Sequence, residues 1–479
     1  MTTVRSFTPF GFAAAFAALA FAVPAAAQNV EWRTPSNEEI RKLIAERNAP
    51  RPGQGIVIGV FEKDSARIVA GGTGAAAAVD ANTLFEIGSI TKVFTALLFA
   101  DMVNRREVSL DDPAAKYLPA GHRMPERNGR PITLRDLATH RSGLPRMADD
   151  MQAVHHPDGP FADYDETRLL AFLDRHELAR DAGSEWEYSN LGMGLLGYLL
   201  GRAVGSDYET LVRTRITAPL GMNDTRISLP NSHAGRLAAP FDAYMRPVKP
   251  WDLSILAGAG GIRSTAADML IFARAAITPT SPIAAAMKTV LAVRTPIQSS
   301  RGVEQALGWP VRANRGREIL LHDGQTAGFR SMLILEPAAG RAVVALSNSA
   351  ASPDVVDLAQ HIFVGSRVAP TPLVPPPLPT PIARTAITLP AAELDQFVGR
   401  YAFDAGFVLA IARHGGFLYV VREDAPLTSR SQILPEAALS FFWKAVDAQI
   451  RFTTDASGVV TGAVMIADGQ QFSAKRVAR

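Results

Sequence analysis

The sequence predicts an α+β fold: an antiparallel sheet flanked by helices, with an inserted helical domain, followed by a small β-barrel domain at the C-terminal end. Three observations carry this prediction. Short β-branched runs occur at 55–70 and again at 318–346, while the stretch from about 100 to 310 reads as helices and long loops. A proline-rich run, Ala369 to Pro381, then separates this part from a second set of strand-like runs. The chain has 479 residues, 47% hydrophobic and 20% charged, enough for two or three domains with sizeable cores. The expected division is a signal peptide at 1–27, a main domain at 28–368, a stiff extended linker at 369–388 and the barrel at 389–479.

The N-terminus carries Arg5, an apolar run from Phe10 to Val23, and the small residues Pro24-Ala25-Ala26-Ala27. This is the pattern of a secretory signal peptide, and its apolar run is too short for a membrane span. No later stretch is long and apolar enough to cross a bilayer, so a periplasmic or secreted protein is expected. There is no cysteine, which excludes disulfides, thiol chemistry and lipidation at a lipobox cysteine. The net charge is +3 and no basic run is present, so nucleic acid is not an expected partner.

Ser36-Asn37-Glu38-Glu39 forms a capping box for a helix from Ile40 to about Arg47, ended by Pro50 and Pro52. Gly55 to Phe61 and Ala66 to Ala70 read as a hairpin. Val93 to Phe99 is apolar nearly all round, the mark of a buried helix. Helices are then expected from Thr133, over Asp165 to Leu178, over Leu191 to Val204, and from a cap at 264–268 to about Ala276. Glu318 to Leu321, Arg330 to Glu336 and Ala342 to Leu346 read as a meander, closed by a helix from Val355 to Phe363. The last module starts with a short helix, Ala391 to Phe397. Strands follow at Phe407–Arg413, Phe417–Arg422, Phe441–Ala445, Gln449–Thr454, Val459–Ile466 and Gln471–Arg476.

Three stretches carry chemistry. Ser89 and Lys92 are three residues apart at the start of the apolar helix, on one face. Ser-x-x-Lys alone is a common pair on solvated helices. Here the apolar setting would desolvate the amine, lower its proton affinity and let it take the Ser89 proton. Tyr188-Ser189-Asn190 precedes a glycine-rich helix; as structure it is a helix cap. As chemistry, Tyr188 is a phenol whose pKa nearby cations would lower, and Asn190 can donate to and accept from a substrate amide. His322-Asp323-Gly324-Gln325 is a polar strand among apolar ones, readable as a hairpin edge or as a strand lining a cleft. In the second case Gly324 allows close substrate approach and the Gln325 N–H points into the site.

Together Ser89-x-x-Lys92, Tyr188-Ser189-Asn190 and His322-Asp323-Gly324 resemble the three motifs of the serine β-lactamase and penicillin-binding-protein superfamily. The branch is class C-like, with its esterases, D-aminopeptidases and D-alanyl-D-alanine carboxypeptidases. The stretches 132–144, 219–225 and 259–268 share the likeness, which covers about residues 36–365. Through Leu394 to Tyr401, the C-terminal module is similar to the lipocalin-like barrel often appended to such hydrolases. The resemblance implies a β-lactamase/transpeptidase-like fold and an acyl-enzyme on Ser89, with Lys92 and Tyr188 as shared general base. It implies an oxyanion hole of the Ser89 and Gln325 N–H groups, with Asn190, His322, Gly324 and Gln325 binding substrate. It implies no cofactor and no metal. The expected partner is a small molecule: a β-lactam, a D-amino peptide or an ester. One departure is visible. Many β-lactamases begin the third motif with a lysine, whose charge helps to keep the phenol deprotonated and to bind the substrate carboxylate. Here that place holds His322, mostly neutral at pH 7.

Overall fold

The computed structural model describes residues 32–371 and 384–477, apart from 75–76, 149–150, 152–160, 299, 301, 315, 352–353, 405–406, 415, 424–430, 444–447 and 468–469. The expected signal peptide at 1–27, and residues 372–383 of the expected linker, lie outside the described residues. By internal contacts the chain separates into two units, one ending at Val374 and one running from Pro375 to the end.

The first unit opens with α1 (Asn37–Asn48), whose Ser36 side chain accepts from the Glu39 N–H while the Glu39 carboxylate accepts from the Ser36 N–H at 2.6 Å. β1 (Gly55–Glu62) and β2 (Ser65–Gly72) follow as the expected hairpin, then the two-residue β3 (Phe85–Glu86). A 3₁₀ turn, Gly88–Ile90, leads directly into α2 (Thr91–Asn104), buried almost throughout because its sequence is apolar on every face. The insert contributes α3 (Leu134–Ala138), α4 (Glu166–Arg175), α5 (Asn190–Ala203), and the short α6 (Tyr208–Val212), α7 (Ala218–Leu220) and α8 (Asn231–Ala234). β4 (Arg263–Ser264) pairs with β3, and α9 (Ala266–Ile277) and α10 (Ala284–Ala292) return the chain to the sheet. The sheet strands are β5 (Thr295–Pro296), β6 (Val303–Gln305), β7 (Pro310–Asn314), β8 (Arg317–Gln325), β9 (Arg330–Glu336) and β10 (Arg341–Ser347), closed by α11 (Asp354–Val364).

These strands form one antiparallel sheet in the order β2-β1-β10-β9-β8-β7-β6-β5. The two ends of the unit meet at the β1–β10 pair, Ile56 opposite Ser347 through Phe61 opposite Ala342. Both faces are covered. Val57, Leu320, Leu333 and Val344 pack toward α2 and α9. Ile58, Leu321, Ile334 and Val343 pack toward α1 and α11. The strands β5 to β7 were expected as part of the helical stretch. They are two to five residues long and include Pro296 and Pro310, too short to show a period of two.

The second unit is a closed antiparallel barrel of eight strands, β11 (Gly399–Phe403), β12 (Phe407–His414), β13 (Phe417–Arg422), β14 (Ser431–Ala437), β15 (Ser440–Trp443), β16 (Ala448–Thr454), β17 (Val460–Ala467) and β18 (Gln470–Val477). It is preceded by α12 (Ala391–Leu394) and a 3₁₀ turn that carries Phe397 into the core beside Phe441 and Phe452. Two of its strands were not expected from sequence. β14 holds Pro435, which reads as a strand breaker and sits where the β14–β15 register shifts. β11 is the short run following the entry turn.

Candidate active site

Ser89 lies on the 3₁₀ turn at the head of α2, partly exposed, while Lys92 on the first turn of α2 is fully buried. The Lys92 Nζ is 3.0 Å from Ser89 Oγ, 2.8 Å from Asn190 Oδ1 and 2.6 Å from the Ala259 carbonyl. A carbonyl and an amide oxygen only accept, so Lys92 must donate to both. An uncharged amine does this with its two protons and turns its lone pair to the serine hydroxyl. Burial pushes the Lys92 pKa well below its ordinary value, the Arg146 charge pushes the same way, and Asp323 opposes them.

Tyr188 is buried beside this pair, with its ring centroid 4.8 Å from Lys92 Nζ and its phenol in a side-chain hydrogen bond with Ser89. The sequence suggested a phenol acidified by cations. In the structure burial dominates and raises the Tyr188 pKa, with Arg146 and the Ser89 hydrogen bond acting against it. The reason is depth: the ring is sealed from water, and a phenolate there loses more solvation than the cations restore.

The strap that presents Tyr188 is fixed by His140, which sits just after α3 in a left-handed conformation (φ 58°). Its carbonyl accepts the Glu187 N–H at 2.8 Å, and its Nδ1 accepts the Ser189 N–H at 3.2 Å, so Nε2 carries the proton. Its ring lies 4.5 Å from the Tyr188 ring. Burial above all, with the Arg146 charge acting the same way, lowers the His140 pKa well below its ordinary value and keeps it neutral. Ser189 is the N-cap of α5, accepting from Gly192 N–H at 2.8 Å, and this sets Asn190 at the first position of the helix. The Asn190 amide nitrogen is 3.5 Å from Met147 Sδ.

On the opposite wall, the half of β8 from His322 to Gln325 pairs only with β9 among the described residues. His322 is buried, and its Nδ1–H donates to the Asp323 carbonyl at 2.7 Å. Burial lowers its pKa to about 4, so at neutral pH it carries no charge. Gly324 packs against the turn before the nucleophile. A Cβ there would strike the Ile87 carbonyl oxygen and Ser331 Oγ, and Ser331 Oγ donates to that carbonyl at 2.8 Å. Gly324 therefore lets the strand close on the turn before the nucleophile. Gly88 answers it from the other side: at φ 51°, its Cβ position would lie 2.7 Å from the Gln325 nitrogen. The two glycines bring the backbones of Ser89 and Gln325 together. The Gln325 side chain turns to Arg330, 2.5 Å from its Nη1.

All seven residues singled out from sequence are thus at or next to one cluster. Sequence reasoning missed His140 and Arg146. Arg146 lies with its guanidinium 5.0 Å over the Tyr188 ring, and its carbonyl accepts from the N–H groups of Asn190 and Leu191. His140 lies in the stretch 132–144 that shares the family likeness but was given no role there, and Arg146 has no local signature; each acts through where the loop after α3 crosses the site. Among the described residues no group of His, Asp and Glu is arranged to hold a metal ion.

The sequence profile of the Beta-lactamase family matches residues 40–366. The chain belongs to this family. A second profile, of a domain of unknown function (DUF3471), matches residues 383–476. The D-alanyl-D-alanine-carboxypeptidase/endopeptidase AmpH of Escherichia coli is 36% identical over 190 residues, 40% of this chain and 48% of that protein. The match thus spans about half the length of that relative. Penicillin-binding protein 4* of Bacillus subtilis is 24% identical over 403 residues, 78% of this chain and 83% of its own. Among solved structures, a class C beta lactamase from Rhodobacter sphaeroides is 25% identical and superposes with a TM-score of 0.57, over 68% of this chain and 98% of that one. These likenesses within the Beta-lactamase family agree with the sheet-and-insert architecture described above.

Proposed function

We propose that this chain is a serine acyl-hydrolase that cleaves a β-lactam or a D-amino-acid amide or peptide bond through a Ser89 acyl-enzyme. The observation that carries the proposal is the Lys92 environment: a buried amine with two obligate acceptors and a serine hydroxyl 3.0 Å away. Ser89 Oγ attacks the carbonyl carbon while its proton passes to the Lys92–Tyr188 pair. The Ser89 and Gln325 N–H groups hold the oxyanion, a contribution of about 2.7–4 kcal/mol per donor. Tyr188 returns the proton to the leaving nitrogen as the bond breaks. The same pair then takes a proton from the water that opens the ester, and Asn190 orients the acyl group.

A second reading, hydrolysis of small acyl esters, is favoured by the uncharged His322, which gives no cation for a leaving-group carboxylate. A third, acylation without fast turnover, is told apart by a stable adduct at Ser89. Export, with cleavage after Ala27, completes the proposal. The test is steady-state turnover of nitrocefin and of p-nitrophenyl acetate by the wild type and by Ser89→Ala. We expect one of these substrates to be turned over, and the activity to fall at least about 10³-fold in the variant. Equal rates in both proteins would refute the assignment.

A further inference from the structure

Several buried or half-buried arginines of the first unit are matched by carboxylates: Arg47 with Asp357, Arg215 with Glu107, Arg236 with Asp224, Arg263 with Glu86. Arg146 is half-buried, and among the described residues no carboxylate pairs with it. Its one described side-chain partner is the face of the Tyr188 ring, 5.0 Å from the guanidinium carbon. Its position is not free to drift, since its carbonyl holds the N–H groups of Asn190 and Leu191 at 3.0 and 3.2 Å.

We propose that Arg146 is the fixed cation of this active site, acting through Tyr188 and Lys92 to keep the pair able to accept the Ser89 proton. This rests on the acyl-enzyme reading above. The ionisable and charged groups around the phenol are Lys92 from α2, His140 and Arg146 from the loop after α3, and His322 and Asp323 from β8. His140 and His322 are both neutral in the folded protein. Asp323 raises the proton affinity of both Tyr188 and Lys92, and Arg146 lowers it in both. A nearby positive charge that does not itself titrate lowers the proton affinity of a buried amine and of the phenol beside it together. A guanidinium is such a charge, because it stays protonated at any pH the enzyme meets. The charge that β8 lacks at His322 is thus supplied from the opposite wall. Arg146 is a positioning residue in the electrostatic sense: it need not touch substrate.

The test compares wild type, Arg146→Gln and Arg146→Lys. The rate of Ser89 modification by a fluorophosphonate probe is measured against pH, since this reads nucleophile activation without a known substrate. With Arg146→Gln the acid limb is expected to move up by roughly one pH unit, and the rate at pH 7 to fall about tenfold. Arg146→Lys, which keeps the charge, is expected to recover most of both. An unshifted limb in Arg146→Gln overturns the proposal. So does equal impairment in the two variants, which marks a packing role. A loss confined to KM for carboxylate-bearing substrates also overturns it and makes Arg146 a substrate anchor. Absence of labelling at Ser89 in the wild type is a separate result: it overturns the acyl-enzyme reading itself.

Discussion

At the scale of single residues, the two histidines of the site are in opposite tautomers: His140 accepts through Nδ1 and His322 donates through it. Both are buried and uncharged, and each binds protons more weakly folded than unfolded. The sign of the linkage follows. The His322 contribution is fully present above its unfolded pKa near 6.5 and is lost as pH falls through about 4. His322→Gln removes that term, worth about 3 kcal/mol across the window. Urea denaturation at pH 7 and pH 4.5 should therefore show a smaller loss of stability on acidification in the variant. A loss equal to that of the wild type would mean that His322 is solvated or already paired. The pairing of Ser89 with Lys92 was readable from their spacing at a helix start, whereas Tyr188 and Asn190 were joined to them only through the likeness of the three stretches to a known family. The roles of His140 and Arg146 were not readable, since a left-handed histidine and an arginine over a ring are products of packing.

At the scale of elements, the site is a junction of three pieces of backbone: the turn 86–89, the strap 186–190 and the free half of β8. The junction of the first and third depends on Gly324 lying against the Ile87 carbonyl. A methyl group at this position cannot be absorbed by a side-chain rotation, because the atom that it meets is backbone. Gly324→Ala should lower stability by about 1–3 kcal/mol. By separating Ser89 from the Gln325 N–H, it should also lower kcat about 100-fold, with the larger effect on kcat rather than on KM. A thermal melt paired with Michaelis kinetics checks both; wild-type kcat in a folded variant would show that the Gln325 N–H is not an oxyanion donor. A glycine in a strand signals close approach, and that much was readable. What approaches it is a contact between residues 237 positions apart, Ile87 and Gly324, which no local pattern encodes. The meander itself was plain from its runs of Leu, Ile and Val, whereas β14 was hidden by Pro435.

At the scale of the molecule, every group of the candidate site comes from the first unit, and the barrel has its own closed sheet and its own core around Phe397, Tyr401, Phe441 and Phe452. A chain ending at residue 371 should therefore fold and keep kcat/KM within about threefold, while residues 384–477 alone should melt cooperatively. A truncated enzyme that folds but loses catalysis would place part of the site in the barrel. The order of the sheet has a further consequence for how activity arises in time. Within the first unit β1 is made early and its partner β10 near the end, and the Gln325 N–H is synthesised 236 residues after Ser89. While a nascent chain still emerges from the ribosome, its serine and lysine have neither the phenol strap nor the β8 wall around them. The amine is then hydrated and protonated, and the hydroxyl is ordinary. Reactivity is switched on only by the closing of long-range contacts, a slow step for a topology of this kind, so the chain is chemically silent until its first unit is complete.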